Sequence, residues 1–248
     1  MLENTEGFLS HLVELRDRLM RAMLAVLAVF LCLLPWAGKI YDLLAQPMMA
    51  ALPPGTKMIA TGVVTPFMVP IKITLLVALV GALPVVLYQV WAFVAPGLYR
   101  NEKRFALPLV IGSTLLFMLG MAFCYFFVFG TVFSFIAKFS PSSITPAPDI
   151  EQYFSFVMTM FLAFGTTFEV PVIVVLLVRF GMVSLDKLKE LRPYAIVGAF
   201  VISAVVTPPD VTSQFMLAVP MCLLYEIGLL MARFVAKPAE SEQDPLTP

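Results

Sequence analysis

The sequence predicts an all-α membrane protein of six transmembrane helices, the last two short, led by an amphipathic N-terminal helix on the cytoplasmic side. Composition, the length of the apolar runs and the placement of the bases each point there. Of 248 residues, 60% are hydrophobic and only 13% charged, and the mean hydropathy of +0.95 lies far above that of a water-soluble domain. A helix needs about 20 apolar residues to cross a hydrocarbon core roughly 30 Å thick. Runs at about 20–36, 68–93, 105–137, 153–180, 194–206 and 211–231 supply six candidates, and helices are the default because lipid offers the backbone no hydrogen-bond partner.

The bases orient this layout, since cytoplasmic flanks carry an excess of lysine and arginine. With the N-terminus inside and six spans following, Arg16, Arg18, Arg21, Arg100, Lys103, Arg104, Arg179, Lys187, Lys189, Arg192, Arg233 and Lys237 fall inside. Lys39, Lys57, Lys72 and Lys138 fall outside. That asymmetry predicts both termini on the cytoplasmic side. Trp36 and Tyr41 at the outer end of span one, and Trp91 and Tyr99 near the inner end of span two, suit interfacial anchors. A formal charge of zero gives no support to a nucleic-acid partner.

Residues 1–237 then read as one polytopic membrane domain. It opens on MLENTEGFLSHLVELRDRL, polar and mixed in charge, without an early apolar core and cleavage site, so the first apolar run is expected to be retained as an anchor. Phe8, Leu12, Leu15 and Leu19 recur at spacings of four, three and four, the pattern of an interfacial amphipathic helix. After span one, IYDLLAQPMMAAL is an apolar, helix-like piece expected to break at Gln46-Pro47 and again at Pro53-Pro54-Gly55, forming an outer cap. SPSSITPAPD, Ser140 to Asp149, is an extended outer loop before span four.

DKLKELRP separates spans four and five, and TPPD, Thr207 to Asp210, joins five to six. Tyr194–Val206 makes only about 20 Å of helix at 1.5 Å per residue, so its polar ends snorkel or the bilayer thins around it. A hairpin that dips in and returns would leave the same charges inside; two short true spans are the preferred reading. Residues 238–248 are acidic and polar, expected as a disordered cytoplasmic tail. No internal repeat is evident, which weighs against inverted-repeat transporter architecture.

Catalytic chemistry has little to work with. One histidine, His11, and three cysteines inside apolar runs, Cys32, Cys124 and Cys222, predict neither a metal site nor a disulfide framework, and no cofactor or enzymatic activity is expected. The polar residues worth attention are carboxylates. Glu14 with Arg18, and Asp17 with Arg21, are spaced to pair along a solvated helix face. In APGLYRNEKRF, Glu102 sits among Arg100, Lys103 and Arg104, either neutralising topology-setting bases or, with Glu14, offering a cytoplasmic groove to an external cation. Arginine suits such a groove, because a guanidinium binds carboxylates through two parallel hydrogen bonds that lysine cannot reproduce.

Glu169, in AFGTTFEVPVIVVLLV, lies at membrane depth with no base beside it, at a cost of about 2.5–3.5 kcal/mol on insertion scales. Three readings are open: an internal partner such as Thr166, Thr167 or a backbone carbonyl, a neutral protonated acid, or a proton relay with Glu226 in the last span. Pro208 in TPPD makes a rigid turn, and Asp210 is placed to cap the helix that follows.

Four segments in order, HLVELRDRL, PVVLYQVWAFVAPGLYRNEKR, SFVMTMFLAFGTTFEVPV and RPYAIVGAFVISAVVTPPDVTSQ, resemble the TatC family, the signal-peptide receptor subunit of the twin-arginine protein translocase. The likeness runs from about Glu3 to Phe234. It implies a multi-pass protein of the bacterial cytoplasmic (inner) membrane that binds twin-arginine signal peptides of folded cargo. It further implies assembly with single-span TatA- and TatB-type subunits, association with further copies of itself, and export driven by the proton-motive force. By this resemblance Glu14 and Glu102 contact the paired arginines, with Arg16, Phe93 and Arg104 shaping the same surface. Glu169 would face a lipid-side groove and hydrogen-bond a polar side chain of a partner helix, and Pro47 and Asp210 match further positions important in the family. Lys103 stands where other members often carry arginine. On the residues alone, a proton-coupled small-solute transporter using Glu169 and Glu226 remains the alternative class.

Overall fold

The computed structural model describes residues 2–52, 56–94, 103–139, 147–207 and 211–235. Among the described residues every regular element is helical, apart from one bridge between Ile59 and Asp149. α1 runs Leu2–Leu33, and a 3-10 turn, Leu34–Trp36, leads into α2, Ala37–Ala51. The amphipathic stretch that leads into span one is the beginning of α1, continuous with the apolar run. Residues 8–33 contain no proline or glycine, so nothing interrupts the hydrogen-bond ladder between the polar start and the apolar run. α2 also departs from expectation, because it passes through Pro47 without ending there; Pro53–Gly55 lie outside the described residues.

The second span is bent. α3, Thr65–Gly81, and α4, Leu83–Val94, meet at 60° around Ala82. Pro84 explains the bend: it has no N–H to give to Val80, and its ring excludes that carbonyl from a straight helix. The Ala82 carbonyl then accepts from Val85 and Val86, both at 3.0 Å, and starts the new helix. α5, Lys103–Phe123, a π turn, Cys124–Val128, and α6, Phe129–Phe139, form a continuous third span. α7, Ile150–Thr167, and α8, Val170–Arg179, form the fourth, interrupted at Phe168 and Glu169.

Gly181, at φ +67, closes α8. Its amide bonds Val178 O at 3.0 Å and that of Met182 bonds Leu177 O at 3.1 Å, the paired bonds of a glycine-terminated helix. α9, Leu185–Glu190, follows, started by Ser184, whose hydroxyl accepts from the Lys187 amide. α10 is Arg192–Val206 and α11 is Val211–Val235.

Among the described residues four stretches are long and apolar enough to cross a membrane: Leu12–Ala50, Leu107–Phe135, Ile150–Arg179 and Val211–Phe234; the bent α3–α4 pair makes a fifth if taken as one span. Of the two spans expected to be short, only α10 is. Its 15 residues make about 22 Å of helix, whereas α11 has 25 because it crosses Pro220 unbroken and continues through Arg233.

The chain divides into two compact units, Met1–Gly165 and Thr166–Pro248, with the division in the last turn of α7. In the first unit α1 packs on α3 and α4, α2 on α3 and α6, and α4 on α5. Ile73, Cys124, Val128, Phe154, Val157, Met160 and Phe164 are buried there. In the second unit α11 is the hub, packed against α8, α9 and α10. Val174, Leu188, Leu229 and Ala232 form its core. Gly228 lets α11 and α8 meet closely: a Cβ at that position would come 3.0 Å from the Pro171 Cα. Small residues serve this purpose in membrane helix pairs, where close contact replaces the missing hydrophobic drive.

The segments before α3 and α7 are clasped together. Ile59 N–H bonds Pro148 O at 3.0 Å and Ile150 N–H bonds Ile59 O at 2.9 Å. Asp149 serves both sides. Its Oδ1 accepts the Glu151 and Gln152 amides at 2.9 and 3.1 Å, capping α7, while Oδ2 accepts the Thr61 hydroxyl at 2.7 Å and the Thr61 amide at 3.1 Å. Glu151 adds Lys72 at 2.9 Å and Thr65 at 3.2 Å.

These donors, the Thr61 hydroxyl foremost and then the Gln152, Thr61 and Glu151 amides, hold the Asp149 carboxyl below the usual carboxylate range. A carboxyl with a depressed folded pKa stabilises the fold above its unfolded value and loses that contribution as pH falls through the folded one. Asp149→Ala is therefore expected to lower the thermal midpoint at neutral pH, with the gap from the parent closing below about pH 4. Asp149→Asn, which can still cap, should fall between the two. Melting curves across pH check this, and a gap that ignores pH would mean that the charged form is not what clasps.

Candidate functional site

The carboxylate sites assemble on different elements, and the first is the α1 face around Glu14. Arg18, one turn on, donates Nε and Nη2 to Glu14 Oε1 at 2.9 and 2.5 Å, which fixes the acid's orientation. The Glu14 side chain nevertheless stays 42% exposed and accessible. Asp17 takes its neighbour Arg16 at 3.0 and 2.8 Å, not Arg21 as the four-residue spacing predicts. A planar guanidinium can fold back onto an adjacent carboxylate on an exposed helix surface, and the 71% exposed Arg16 side chain has room to do so. Arg16 thus belongs to a solvated ion pair beside Glu14.

The α4 end carries the second group. Trp91 is buried, and its indole Nε1 donates to the fully buried Ser113 hydroxyl on α5 at 3.0 Å. That bond ties the last turns of α4 to α5 and sets the placement of half-buried Phe93. Glu102 lies outside the described residues, and of Arg104 only the backbone is described, in the first turn of α5. The distance between Glu14 and Glu102 is thus outside what the structure describes.

Along the membrane-level part of α1, Leu19, Met23 and Leu27 join Leu75 and Leu79 of α3 and Leu162 of α7 around an open apolar groove of about 690 Å³. Sequence periodicity marks the α1 residues as one face, but only the fold shows which helices complete it.

In the second unit, Glu169 occupies the turn between α7 and α8 instead of a helix interior. Pro171 is the cause, since it cannot donate to the Thr167 carbonyl. Glu169 N–H instead bonds Thr166 O at 3.1 Å, and Glu169 O receives Ile173 N–H at 3.0 Å, starting α8. Thr167 and Glu169 are 4% and 6% exposed. Glu169, which the resemblance places toward a lipid-side groove, is buried at the head of α8, two residues before Pro171, where Gly228 of α11 makes its close approach.

Glu226 is engaged elsewhere. Arg192, at the start of α10, donates Nη2 to Glu226 Oε2 at 2.7 Å, and the neighbouring Tyr225 hydroxyl donates to Leu188 O at 2.7 Å. Charge pairing with a base 34 residues away could not be anticipated from spacing along one helix. Gln214, which the sequence reading passes over, donates to Phe200 O at 3.3 Å and joins α11 to α10. Pro208 and Asp210 lie outside the described residues. Pro47 is inside α2.

Comparison with known proteins gives a consistent picture. A family model described as Sec-independent protein translocase protein (TatC) matches residues 10–220. The Sec-independent protein translocase protein TatC of Escherichia coli is 50% identical over 233 residues, covering 94% of this chain and 90% of the relative. That of Halothiobacillus neapolitanus is 53% identical over 231 residues, or 93% of this chain, and the match spans 63% of the relative's greater length. A solved structure described as the Twin Arginine Translocase Receptor TatC superposes with a TM-score of 0.80 at 38% identity, covering 91% of this chain and 99% of that one.

The Trp91–Ser113 bond yields a direct test of how the α4 end is held. Ser113→Ala strands a buried indole N–H and should destabilise the protein by about 1–3 kcal/mol, whereas adding Trp91→Phe should recover much of the loss by removing the stranded donor. Thermal unfolding of the purified single and double variants measures both effects.

Proposed function

The chain belongs to the TatC family of Sec-independent protein translocase proteins, and we propose that it is the receptor that reads the arginine pair of twin-arginine signal peptides. The observation that carries this reading is the match of residues 10–220 to the family, together with 38% identity to a structure whose own description is a twin-arginine translocase receptor. The α1 geometry supports it. Glu14 is oriented by Arg18 and remains accessible, and the same helix, from Leu19 onward, lines the apolar groove. A carboxylate followed along one helix by an apolar face matches a peptide that carries arginines and then an apolar run.

In this proposal Glu14 and Glu102 engage the two guanidinium groups, and Arg16, Phe93 and Arg104 shape the surface around them. The protein crosses the bacterial inner membrane six times with both termini in the cytoplasm, as the placement of its bases predicts. It acts as a translocase component and not as an enzyme, assembling with single-span TatA- and TatB-type subunits and with further copies of itself, and the proton-motive force drives export. Thr167, Glu169, Pro208 and Asp210 serve partner contact or the outer turn. Because Glu169 is buried, a partner helix would meet it only by parting the helices around it. Glu226 paired with Arg192 suits a structural ion pair better than a proton relay, and such a half-exposed pair contributes on the order of 0–1 kcal/mol.

The experiment is photocrosslinking from positions beside Glu102 to a radiolabelled signal peptide in native membranes. A strong crosslink with Arg-Arg and a weak one with Lys-Lys are expected, because lysine cannot make the two parallel bonds. Glu102→Gln and Glu14→Gln should each reduce the Arg-Arg signal by roughly tenfold, as for loss of a charge-assisted hydrogen bond. Equal crosslinking of both peptides would remove the receptor assignment.

A further inference from the structure

α2 carries Pro47 in its interior, so one backbone carbonyl, that of Leu43, has no amide four residues ahead to receive. The Tyr125 hydroxyl donates to that carbonyl at 3.2 Å. On the next carbonyl, Leu44 O, the Tyr153 hydroxyl donates at 2.8 Å.

Both tyrosines are held in place by their own surroundings. Tyr153 is 5% exposed, and its ring centroid lies 5.6 Å from that of Phe133 and 4.7 Å from that of Phe154. Tyr125 sits on the π turn Cys124–Val128, where Phe129 N–H bonds back five residues to Cys124 O, and its ring stacks with Phe161 at 6.5 Å. A π turn inserts one residue into the helical register and re-aims the side chains it carries. Here that places a hydroxyl on the carbonyl that proline leaves without a donor.

We propose that Tyr125 and Tyr153 are positioning residues for α2: a two-hydroxyl clasp on the carbonyls beside Pro47 that holds this helix through its proline and against the third and fourth spans. The clasp stands independently of the receptor assignment. It accounts for the continuity of α2 through Pro47 and gives the π turn a purpose.

The test is a double-substitution cycle in the full chain reconstituted in lipid nanodiscs, read by amide hydrogen exchange across residues 43–52. Tyr125→Phe keeps the ring and is expected to raise exchange of the α2 amides by about three- to tenfold, as for loss of one net hydrogen bond. In a Pro47→Ala background the alanine amide supplies the missing donor to Leu43, and Tyr125→Phe should then change exchange by less than about twofold. Tyr153→Phe, which removes the hydroxyl from Leu44 O, should likewise raise exchange of the α2 amides. An equal effect of Tyr125→Phe with and without Pro47 would overturn the role of Tyr125, and unaltered α2 exchange in Tyr153→Phe would overturn that of Tyr153.

Discussion

A backbone carbonyl or amide in hydrocarbon has no water to turn to, and every proline within an apolar helix creates one such carbonyl. Three prolines show three solutions. At Pro84 the helix bends by 60° at Ala82 and restarts. At Pro171 it stops for two residues, leaving Glu169 at the head of α8. At Pro47 it continues, with tyrosine hydroxyls on the Leu43 and Leu44 carbonyls. Which solution applies is a question of what lies opposite: Tyr125 and Tyr153 face α2, and Ala82 can open a new helix through bonds from Val85 and Val86.

The polar groups of the candidate sites inherit their positions from these choices. Glu169 is buried in a helix break, and the close approach of Gly228 to Pro171 draws α11 against that start of α8. Phe93 sits beyond the bend, on a helix tied to α5 by Trp91 and Ser113. Glu14 has the opposite situation, on an unbroken helix surface where one arginine sets its orientation and solvent still reaches it. A carboxylate of the second kind is open to a cationic partner, which is what the proposed receptor role asks of Glu14. The first kind suits a region that must hold its shape or rearrange as a whole.

Much of the architecture is legible in residue order. The apolar runs locate the helices, and Glu14 pairs with Arg18 as i, i+4 spacing predicts. The Pro84 and Pro171 signals were also in the sequence, yet an apolar run that is long enough to span conceals a break, because hydropathy does not register a missing donor. Asp149 is harder still. As one acid in a proline-rich loop it looks like a turn residue, and its bonds to Thr61 join segments 88 residues apart. Separations of 34 and 82 residues likewise hide Glu226 behind Arg192 and Leu43 behind Tyr125.

Local chemistry along the chain was sufficient to establish a helical membrane protein, its family likeness and its candidate recognition acids, because hydropathy, charge bias and motif spacing are properties of neighbouring residues. The fates of the proline breaks, the burial of Glu169, the engagement of Glu226 and the clasps at Asp149 and Pro47 were settled by folding. The clasps and the Glu226 pair turn on whether a donor or a counter-charge from a remote segment arrives within about 3 Å, the breaks at Pro84 and Pro171 on whether the surroundings let the chain bend or stop there, and both are matters of packing that no local pattern encodes.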